Sequence, residues 1–427
     1  MENSSVRVFK FGGASVKSAE GVKKLVNILN DQNDSLVVVV SAMGKTTRLL
    51  ERMLKGYIDG NNAFWQDFDE LKRFHLSIIE NLFCVKDNSC KPKVDKLLGD
   101  LETMLRGKPK DDYNYCYDQL VCYGELLSTA IIADYAKSVR LDSQYVDIRG
   151  VLQSDETYRE GNIDFNASRL LSNKTFIFKH ESPRIYITQG FIAGTSKGTT
   201  ITLGREGSDY TAAILANLLN AKDVTIWKDV EGVLNADPRT FANTIKLSRV
   251  SFKEAIEMAY CGAQIIHPKT IKPLENKSIK LFVKSFLKPH AEGTLVYQCD
   301  SAIDYPPMLI KKSNQVLISL TPLDFSFVIE DCLSKIFATL YKYRVKANLI
   351  QSSAISFSIC VDNEEHFLPG AIDELNRNFE VRYNKNLELL TIRHYTNETI
   401  IEHTKDKNIY LEQKTRSTVR LVLDNQQ

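Results

Sequence analysis

Two glycines bracket an arginine and a glutamate at Gly204-Arg205-Glu206-Gly207, and Ser208 and Asp209 follow directly. Glycine lets backbone N–H groups approach a ligand closely, and a helix N-terminus favours an anion. The apolar run after Asp209 predicts such a helix over residues 210–219. Arg205 suits a phosphate or a carboxylate, and Asp209 could orient a reacting group. A second constellation lies near the N-terminus, where a strand over residues 6–9 delivers Lys10 into Gly12-Gly13-Ala14-Ser15. Lysine is a point charge and a Gly-Gly turn offers bare amides, together a plausible phosphate grip. A third follows a strand over residues 36–40, at Ser41-Ala42-Met43-Gly44-Lys45-Thr46-Thr47. Its Gly44-Lys45-Thr46 ending is not a Walker loop, because that motif needs glycine where Val39 stands.

Elements that could position these residues alternate through the first two-thirds of the chain. Helical spacing runs behind the first strand at Val22, Leu25, Val26 and Leu29, and behind the second at Leu49, Leu50, Met53, Leu54 and Tyr57. Residues 60–115 read as mostly helical and lysine-rich. A helical run over 118–135 carries Gly124-Glu125-Leu126-Leu127-Ser128, and strands are expected over 184–188 and 223–227. Ser251 and Glu254 have capping-box spacing, and Pro268 suits the first position of a further helix. This alternation predicts an α/β fold with a largely parallel sheet sandwiched by helices. Ligands of such sheets gather at the carboxyl ends of the strands, where Lys10, Ser41, the glycine-rich loop and Lys228-Asp229 all fall.

After residue 300 the pattern changes. Asp304-Tyr305-Pro306-Pro307 reads as a linker, and a βαββ unit follows. It has strands over 316–320, 345–350 and 355–361, with a helical stripe at Leu333, Ile336, Phe337 and Leu340 between the first two. A helix near Ala371 and strands near Glu380 and Leu387 continue it, and the remainder is strand-rich. Composition excludes several classes. Across 427 residues, 43% hydrophobic and 25% charged content is ordinary for a soluble globular protein. A formal charge of +2 offers no electrostatic footprint for nucleic acid. No apolar run approaches a membrane span. The eight cysteines are scattered without a CxxC pair, which points to reduced thiols and a cytoplasmic location. The histidines show no metal-ligand spacing, and His267 beside Pro268 reads as a structural hydrogen-bonder, so no residue is assigned to a metal.

Together the motifs resemble the aspartate kinases of the amino-acid-kinase family over nearly the full chain. The matching stretches are Lys10-Phe11-Gly12-Gly13-Ala14-Ser15-Val16, Val39-Val40-Ser41-Ala42-Met43-Gly44, the Gly124-Glu125 run and the Gly204-to-Asp209 loop. Trp227-Lys228-Asp229-Val230-Glu231-Gly232-Val233 with Asp237-Pro238-Arg239, and Gly262-Ala263-Gln264-Ile265-Ile266-His267-Pro268, complete the set. The resemblance implies a catalytic domain of the amino-acid kinase fold over 1–300, with a smaller substrate-side helical lobe about 45–150. It further implies an α+β, ferredoxin-like ACT module over 308–384 and a truncated second one over 385–427.

The activity implied is transfer of the γ-phosphoryl of ATP, as a complex with Mg2+, to the β-carboxylate of L-aspartate. The product would be 4-phospho-L-aspartate, at the head of lysine, threonine and methionine synthesis. By the same resemblance, Lys10 would neutralise the migrating phosphoryl and Asp209 would orient Lys10. Gly12 and Gly13 would offer amides to the phosphates. Ser41, Thr47, Glu125, Arg205 and Ser208 would hold aspartate, with Glu125 toward its ammonium. Lys228, Asp229, Leu234, Arg239 and Gln264 would line the nucleotide site. A homodimer or higher homo-oligomer through the ACT modules is implied, with no nucleic-acid or membrane partner.

The chain also departs from the family pattern. Gln264 stands where a phosphate-contacting Lys is usual, Ala14 where Thr is usual, and Arg48 where Asn is usual. Lys228 replaces a Thr and Leu234 a Tyr found in some members. In the tail, Asp324-Phe325-Ser326 replaces an opening Gly-Phe, Asn348 and Ala354 stand where acids are common, and residues 395–410 leave little room for a full helix. The tail is therefore expected to support dimerisation, with feedback inhibition by lysine or threonine left open. The same departures keep a second class in view, a regulatory pseudokinase that binds ATP or aspartate without turnover. The intact Lys10, Glu125, Arg205, Ser208 and Asp209 favour the enzyme. A fusion with homoserine dehydrogenase is not expected at this length.

Overall fold

Strand β1 (Val6–Phe11) presents two unlike faces, because successive side chains of a strand point to opposite sides. Val8 and Lys10 share one face; Phe9 and Phe11 share the other. The computed structural model describes residues 6–83, 89–110, 112–179, 182–263, 266–299, 301, 303–323, 327–328 and 330–424. The chain divides into two units, the first made of Met1–Val233, Lys246–Ile256 and Ile265–Ser301.

Following β1 come α1 (Ala19–Asn30), β2 (Ser35–Val40), α2 (Thr46–Ile58), α3 (Phe64–Leu82) and α4 (Cys90–Arg106). Next are α5 (Tyr113–Val121), α6 (Tyr123–Ser138), β3 (Ser143–Val146), α7 (Phe165–Thr175), β4 (Ile185–Gln189), β5 (Ile192–Gly194) and β6 (Thr200–Thr202). Then follow α8 (Gly207–Leu219), β7 (Asp223–Lys228), β8 (Arg249–Ser251), α9 (Phe252–Cys261), α10 (Pro268–Glu275), β9 (Lys280–Ser285) and β10 (Thr294–Tyr297). Eight of these strands form one sheet in the order β3-β4-β2-β1-β7-β9-β10-β8. Neighbours are parallel throughout except for the antiparallel pair β9 and β10. The largely parallel sheet expected from the alternation is thus present.

Local sequence explains the main pieces. Ser18 caps α1 by accepting from the Gly21 N–H, and the expected stripe Val22, Leu25, Val26 and Leu29 is buried. β2 is buried at every position from Leu36 to Val40, as befits a central parallel strand. On the other face of β1, Phe11 stacks on Trp227 with ring centroids 5.8 Å apart, and Phe9 meets Trp227 edge-on at 5.7 Å. The helix expected over 118–135 is instead two helices, α5 and α6, meeting at Cys122. The break lets Asp118 serve β6 while Glu125 serves the loop after β2.

The second unit gathers Leu234–Ile245, Glu257–Gln264 and Ala302–Gln427. Its strands are β11 (Met308–Pro322), β12 (Ala347–Ser352), β13 (Phe357–Asp362), β14 (Phe379–Arg393), β15 (Ile409–Lys414) and β16 (Thr418–Asp424). Its helices are α11 (Glu330–Lys342), α12 (Leu368–Leu375) and α13 (Asn397–Thr404). One antiparallel sheet results, in the order β12-β13-β11-β14-β16-β15. β11 buries Val316, Ile318 and Leu320 with Ile336 and Leu340 of α11, while Leu317 packs on the opposite face with Leu349 and Leu387.

Three features differ from the sequence expectation. The strands expected near Glu380 and Leu387 are one strand, β14, which runs unbroken through residues 384 and 385, the expected border between the two modules. Its whole length pairs with β11, whose irregular register near Lys312 and Gln315 absorbs the change from one half to the other. A helix does form within residues 395–410. α13 has eight residues and buries none of them, and it starts because the Thr396 side chain accepts from the Thr399 N–H. Residues 234–245 join this unit rather than the preceding block, because Asn235 bonds the Pro307 carbonyl at 2.9 Å and accepts from the Leu309 N–H at 2.8 Å. The residues Asp324, Phe325 and Ser326 lie outside the described residues. Among the described residues no helix is long and apolar enough to cross a membrane.

A Cβ added to Gly13 would lie 2.4 Å from the Ala42 carbonyl oxygen, where the loops after β1 and β2 touch. Gly13→Ala should therefore lower stability by about 1–3 kcal/mol through overpacking. Urea unfolding measures this, and an unchanged midpoint would contradict the tight approach.

Candidate active site

Strand register brings two lysines to the same side of the sheet. Lys10 of β1 is aligned with Ile226 of β7, so Lys228, two residues further on, points to the face that Lys10 occupies. Helix α8 lies against this face and supplies Asp209 from its first turn. The Lys10 ammonium sits 2.5 Å from Asp209 Oδ1, and the Lys228 ammonium is 3.9 Å from Oδ2. Asp209 is 3% exposed. Burial alone would push its carboxyl up, but Lys10 and Lys228 outweigh that and hold it below its usual range. Two ammonium groups thus converge on one buried carboxylate, and cationic groups so placed are what a transferring phosphoryl requires.

The loop after β2 forms the next part of the site. The Ser41 N–H donates to the Phe11 carbonyl at 3.1 Å, and the Gly44 N–H to the Gly13 carbonyl at 2.9 Å. These bonds lock the first two glycine-bearing turns together beside Lys10; a Cβ on Gly12 would be 3.5 Å from the Lys10 nitrogen. Ser128 of α6 donates to the Ser41 carbonyl at 2.8 Å, and Glu125 Oε1 accepts from the Ala42 N–H at 3.1 Å. The second Glu125 oxygen is buried with no hydrogen-bond partner among the described residues. Burial pushes this carboxyl up to about 8, opposed by the Ala42 N–H and by the Lys10 charge. Glu125 is therefore poised to gain either a proton or a cation.

The glycine-rich loop is held from two sides. Gly190, after β4, donates to the Val40 carbonyl, and a Cβ there would lie 2.5 Å from Ser208 Cβ, so glycine lets α8 approach the strand ends. Glu206 adopts a left-handed backbone with φ 54°, and its carboxylate accepts from the His267 N–H at 2.9 Å. His267 caps α10 through Nδ1, which accepts from the Lys269 N–H, and Pro268 occupies the first turn as expected. Arg205 stands exposed in this loop, without an ion-pair partner among the described residues.

The structure brings together Lys10, Gly12, Ser41, Glu125, Ser208, Asp209 and Lys228 through the contacts above. Gly13 lies in the same cluster of turns, Thr47 is half-buried in the first turn of α2, and Asp229 is exposed just beyond β7. Three assignments are not joined by these contacts. Arg239 is exposed and paired with Asp237 at 2.7 Å within the second unit, which also contains Leu234. Gln264 lies outside the described residues. Two residues that no motif singles out also shape this region. Glu206 was visible inside the loop, but no spacing signals a glutamate at positive φ. Asp118 accepts from the Thr202 hydroxyl at 2.6 Å and from the Thr202 and Arg159 N–H groups, and burial lifts its carboxyl to about 6 against these bonds. It is a buried brace for the β6 end of the loop, with no motif of its own.

Comparison with known proteins places this geometry. The model of the amino acid kinase family matches residues 5–285. Lysine-sensitive aspartokinase 3 of Escherichia coli is 31% identical over 362 residues, covering 84% of this chain and 79% of that protein. Chloroplastic aspartokinase 1 of Arabidopsis thaliana is 30% identical over 365 residues; the match covers 83% of this chain and 63% of that longer protein. The crystal structure of E. coli aspartokinase III with aspartate and ADP superimposes with a TM-score of 0.81 at 27% identity, covering 98% of this chain and 96% of that one.

Glu125 also predicts a pH dependence. Folded, it keeps its proton up to about pH 8, against 4.5 for an ordinary glutamate. Between those values the native state binds more protons than the unfolded chain, so this residue makes stability fall as pH rises. Glu125→Gln should remove that slope, gaining on the parent chain between pH 5 and 8 in urea unfolding. Parallel curves across that range would contradict the buried, protonated state.

Proposed function

The chain belongs to the amino acid kinase family, in its aspartokinase branch, and from that premise we propose how the Lys10–Asp209–Lys228 cluster carries the branch's reaction. The reading is transfer of the γ-phosphoryl of ATP to the β-carboxylate of L-aspartate, giving 4-phospho-L-aspartate and ADP. The observation that carries it is the pair of ammonium groups, Lys10 and Lys228, gathered around one buried carboxylate at the ends of the parallel strands.

In this reading an oxygen of the aspartate β-carboxylate attacks the γ-phosphorus while the bond to the bridging oxygen breaks toward ADP. No general base is needed, because the accepting carboxylate is already ionised at neutral pH. The protein then contributes position and charge. Lys10 faces the transferring group, and Asp209 holds Lys10 and Lys228 apart and in place. Gly12 and Gly13 keep the first turn free of side chains beside Lys10. Glu125 takes the substrate ammonium on its unsatisfied oxygen, which would draw it into the ionised form. Arg205, exposed and without an ion-pair partner among the described residues, takes a substrate carboxylate, with Ser41, Thr47 and Ser208 as polar neighbours. Lys228 and Asp229 lie on the nucleotide side, while Leu234, Arg239 and Gln264 carry no part of this proposal. Among the described residues no three acidic, histidine or cysteine side chains cluster as a metal cage. We assign Mg2+ to the incoming nucleotide complex, where phosphate oxygens supply most of its ligands.

We assign self-association to the second unit, whose sheet ends in the edge strands β12 and β15, and whose resemblance to ACT modules points the same way. Lysine is the effector to try first, since the E. coli relative is named for its lysine sensitivity. The seven described cysteines are all free, which agrees with a reducing, cytoplasmic setting.

Purified protein should release ADP from ATP and Mg2+ only when aspartate is added, whereas ligand binding without release would favour the pseudokinase. Lys10→Ala should lower kcat by roughly 10²–10³-fold, as expected for one lost charge donor in the transition state. Near-normal turnover would remove Lys10 from this role. Arg205→Ala should raise KM for aspartate far more than KM for ATP, and an equal rise in both would count against its assignment to a carboxylate.

A further inference from the structure

The sheet of the first unit has a second recess, on the face opposite Lys10. Because side chains alternate, Arg7 and Phe9 of β1 emerge there, next to Thr225 and Trp227 of β7 and Lys284 of β9. The end of α1, at Asp31 and Gln32, and the turn at Pro289 and His290 close its sides. The cavity measures about 310 Å³. A neighbouring recess of about 500 Å³ shares Arg7 and Lys284 and adds Phe282 and Arg249. The wall is thus aromatic beneath and cationic at one side.

The charges are not balanced as an ordinary structural wall would be. Arg7 is fully matched, with Asp223 at 2.9 Å and Asp34 at 3.3 Å. Lys284 is half-buried and has no carboxylate within ion-pairing distance among the described residues; its ammonium lies 5.6 Å from the centroid of the Trp227 ring. Burial, with repulsion from Arg7, pushes it below the usual lysine range, and distant Glu292 only partly offsets this. A partly desolvated cation with no carboxylate in contact is poorly compensated. Two further polar atoms on residues beneath it, Trp227 Nε1 and Thr225 Oγ1, are buried without hydrogen-bond partners among the described residues. Buried polar groups are satisfied in the great majority of cases, so such a cluster calls for an explanation. Asp31 and Glu292, the acidic groups at the rims, are exposed and well solvated.

We propose that this recess is a binding site for a small organic anion, its carboxylate or phosphate set against Lys284, with the buried Trp227 ring close behind that ammonium. The volume is at the small end for ligand pockets, which suits a single-ring molecule. The site lies across the sheet from the Lys10–Asp209 pair and shares no side chain with it.

Direct binding tests this without nucleotide or aspartate, so its outcome is separable from the kinase reading. The chain has two tryptophans, and Trp65→Phe leaves Trp227 as the only indole. In that background, benzoate, phenyl phosphate and uncharged benzyl alcohol are each titrated against tryptophan fluorescence. We expect saturable quenching by at least one anion, with benzoate against phenyl phosphate identifying the headgroup preferred. Affinity should fall about tenfold or more in Lys284→Met, as for a lost charged hydrogen bond, and persist in Lys284→Arg. No saturable response to either anion, an equal response to benzyl alcohol, or undiminished affinity in Lys284→Met would each overturn the proposal.

Discussion

A carboxylate cannot be buried as an ion unless something compensates for its lost water. Asp209 meets that condition with two ammonium groups, and this constraint orders the rest of the first unit. Lys10 has to come from a central strand, Lys228 from its neighbour in matching register, and Asp209 from the opening turn of a helix laid on that face. Remove the parallel pairing of β1 with β7 and the lysines no longer share a side. Move α8 outward and the carboxylate is left either solvated or alone. The pair of interactions stabilises the arrangement and keeps two ammonium groups together where an anionic substrate can meet them.

The surrounding parts serve approach and access. Gly13 and Gly190 stand where backbones or a helix come too close for a side chain, so the turns after β1, β2 and β4 converge on the start of α8. Glu125 and Asp118 are buried carboxyls of different kinds. Asp118 has its bonds filled by Thr202 and Arg159, and acts as a brace. Glu125 has one oxygen filled and the other without a partner among the described residues. A vacancy of that kind beside the Lys10 turn is consistent with a group that waits for a substrate ammonium.

Much of this was legible in the residues. The alternation of Val8, Phe9, Lys10 and Phe11 announced a strand with a charged and an apolar side, and the valine run over 36–40 announced a buried parallel strand. The Gly-Arg-Glu-Gly-Ser-Asp loop announced a helix start that faces an anion. Local pattern was enough because each of these depends on near neighbours in sequence. What stayed hidden depends on contacts between distant segments. The register that turns Lys228 toward Asp209 is a property of two strands more than two hundred residues apart, and no spacing within either one encodes it. The strained Glu206 is explained only by the His267 N–H it reaches. Likewise β14 reads as two strands in sequence, since its middle is polar, but pairing with β11 carries it straight through.

The claim that most needs testing is that Lys10 and Asp209 work as one unit. A double-mutant cycle of Lys10→Ala, Asp209→Ala and the combined variant, read as single-turnover rates of phosphoryl transfer at saturating nucleotide, does this directly. The account predicts that the combined variant is hardly slower than either single one, because residues that act together lose their contribution once. Losses that multiply in the combined variant would show two independent roles and contradict it.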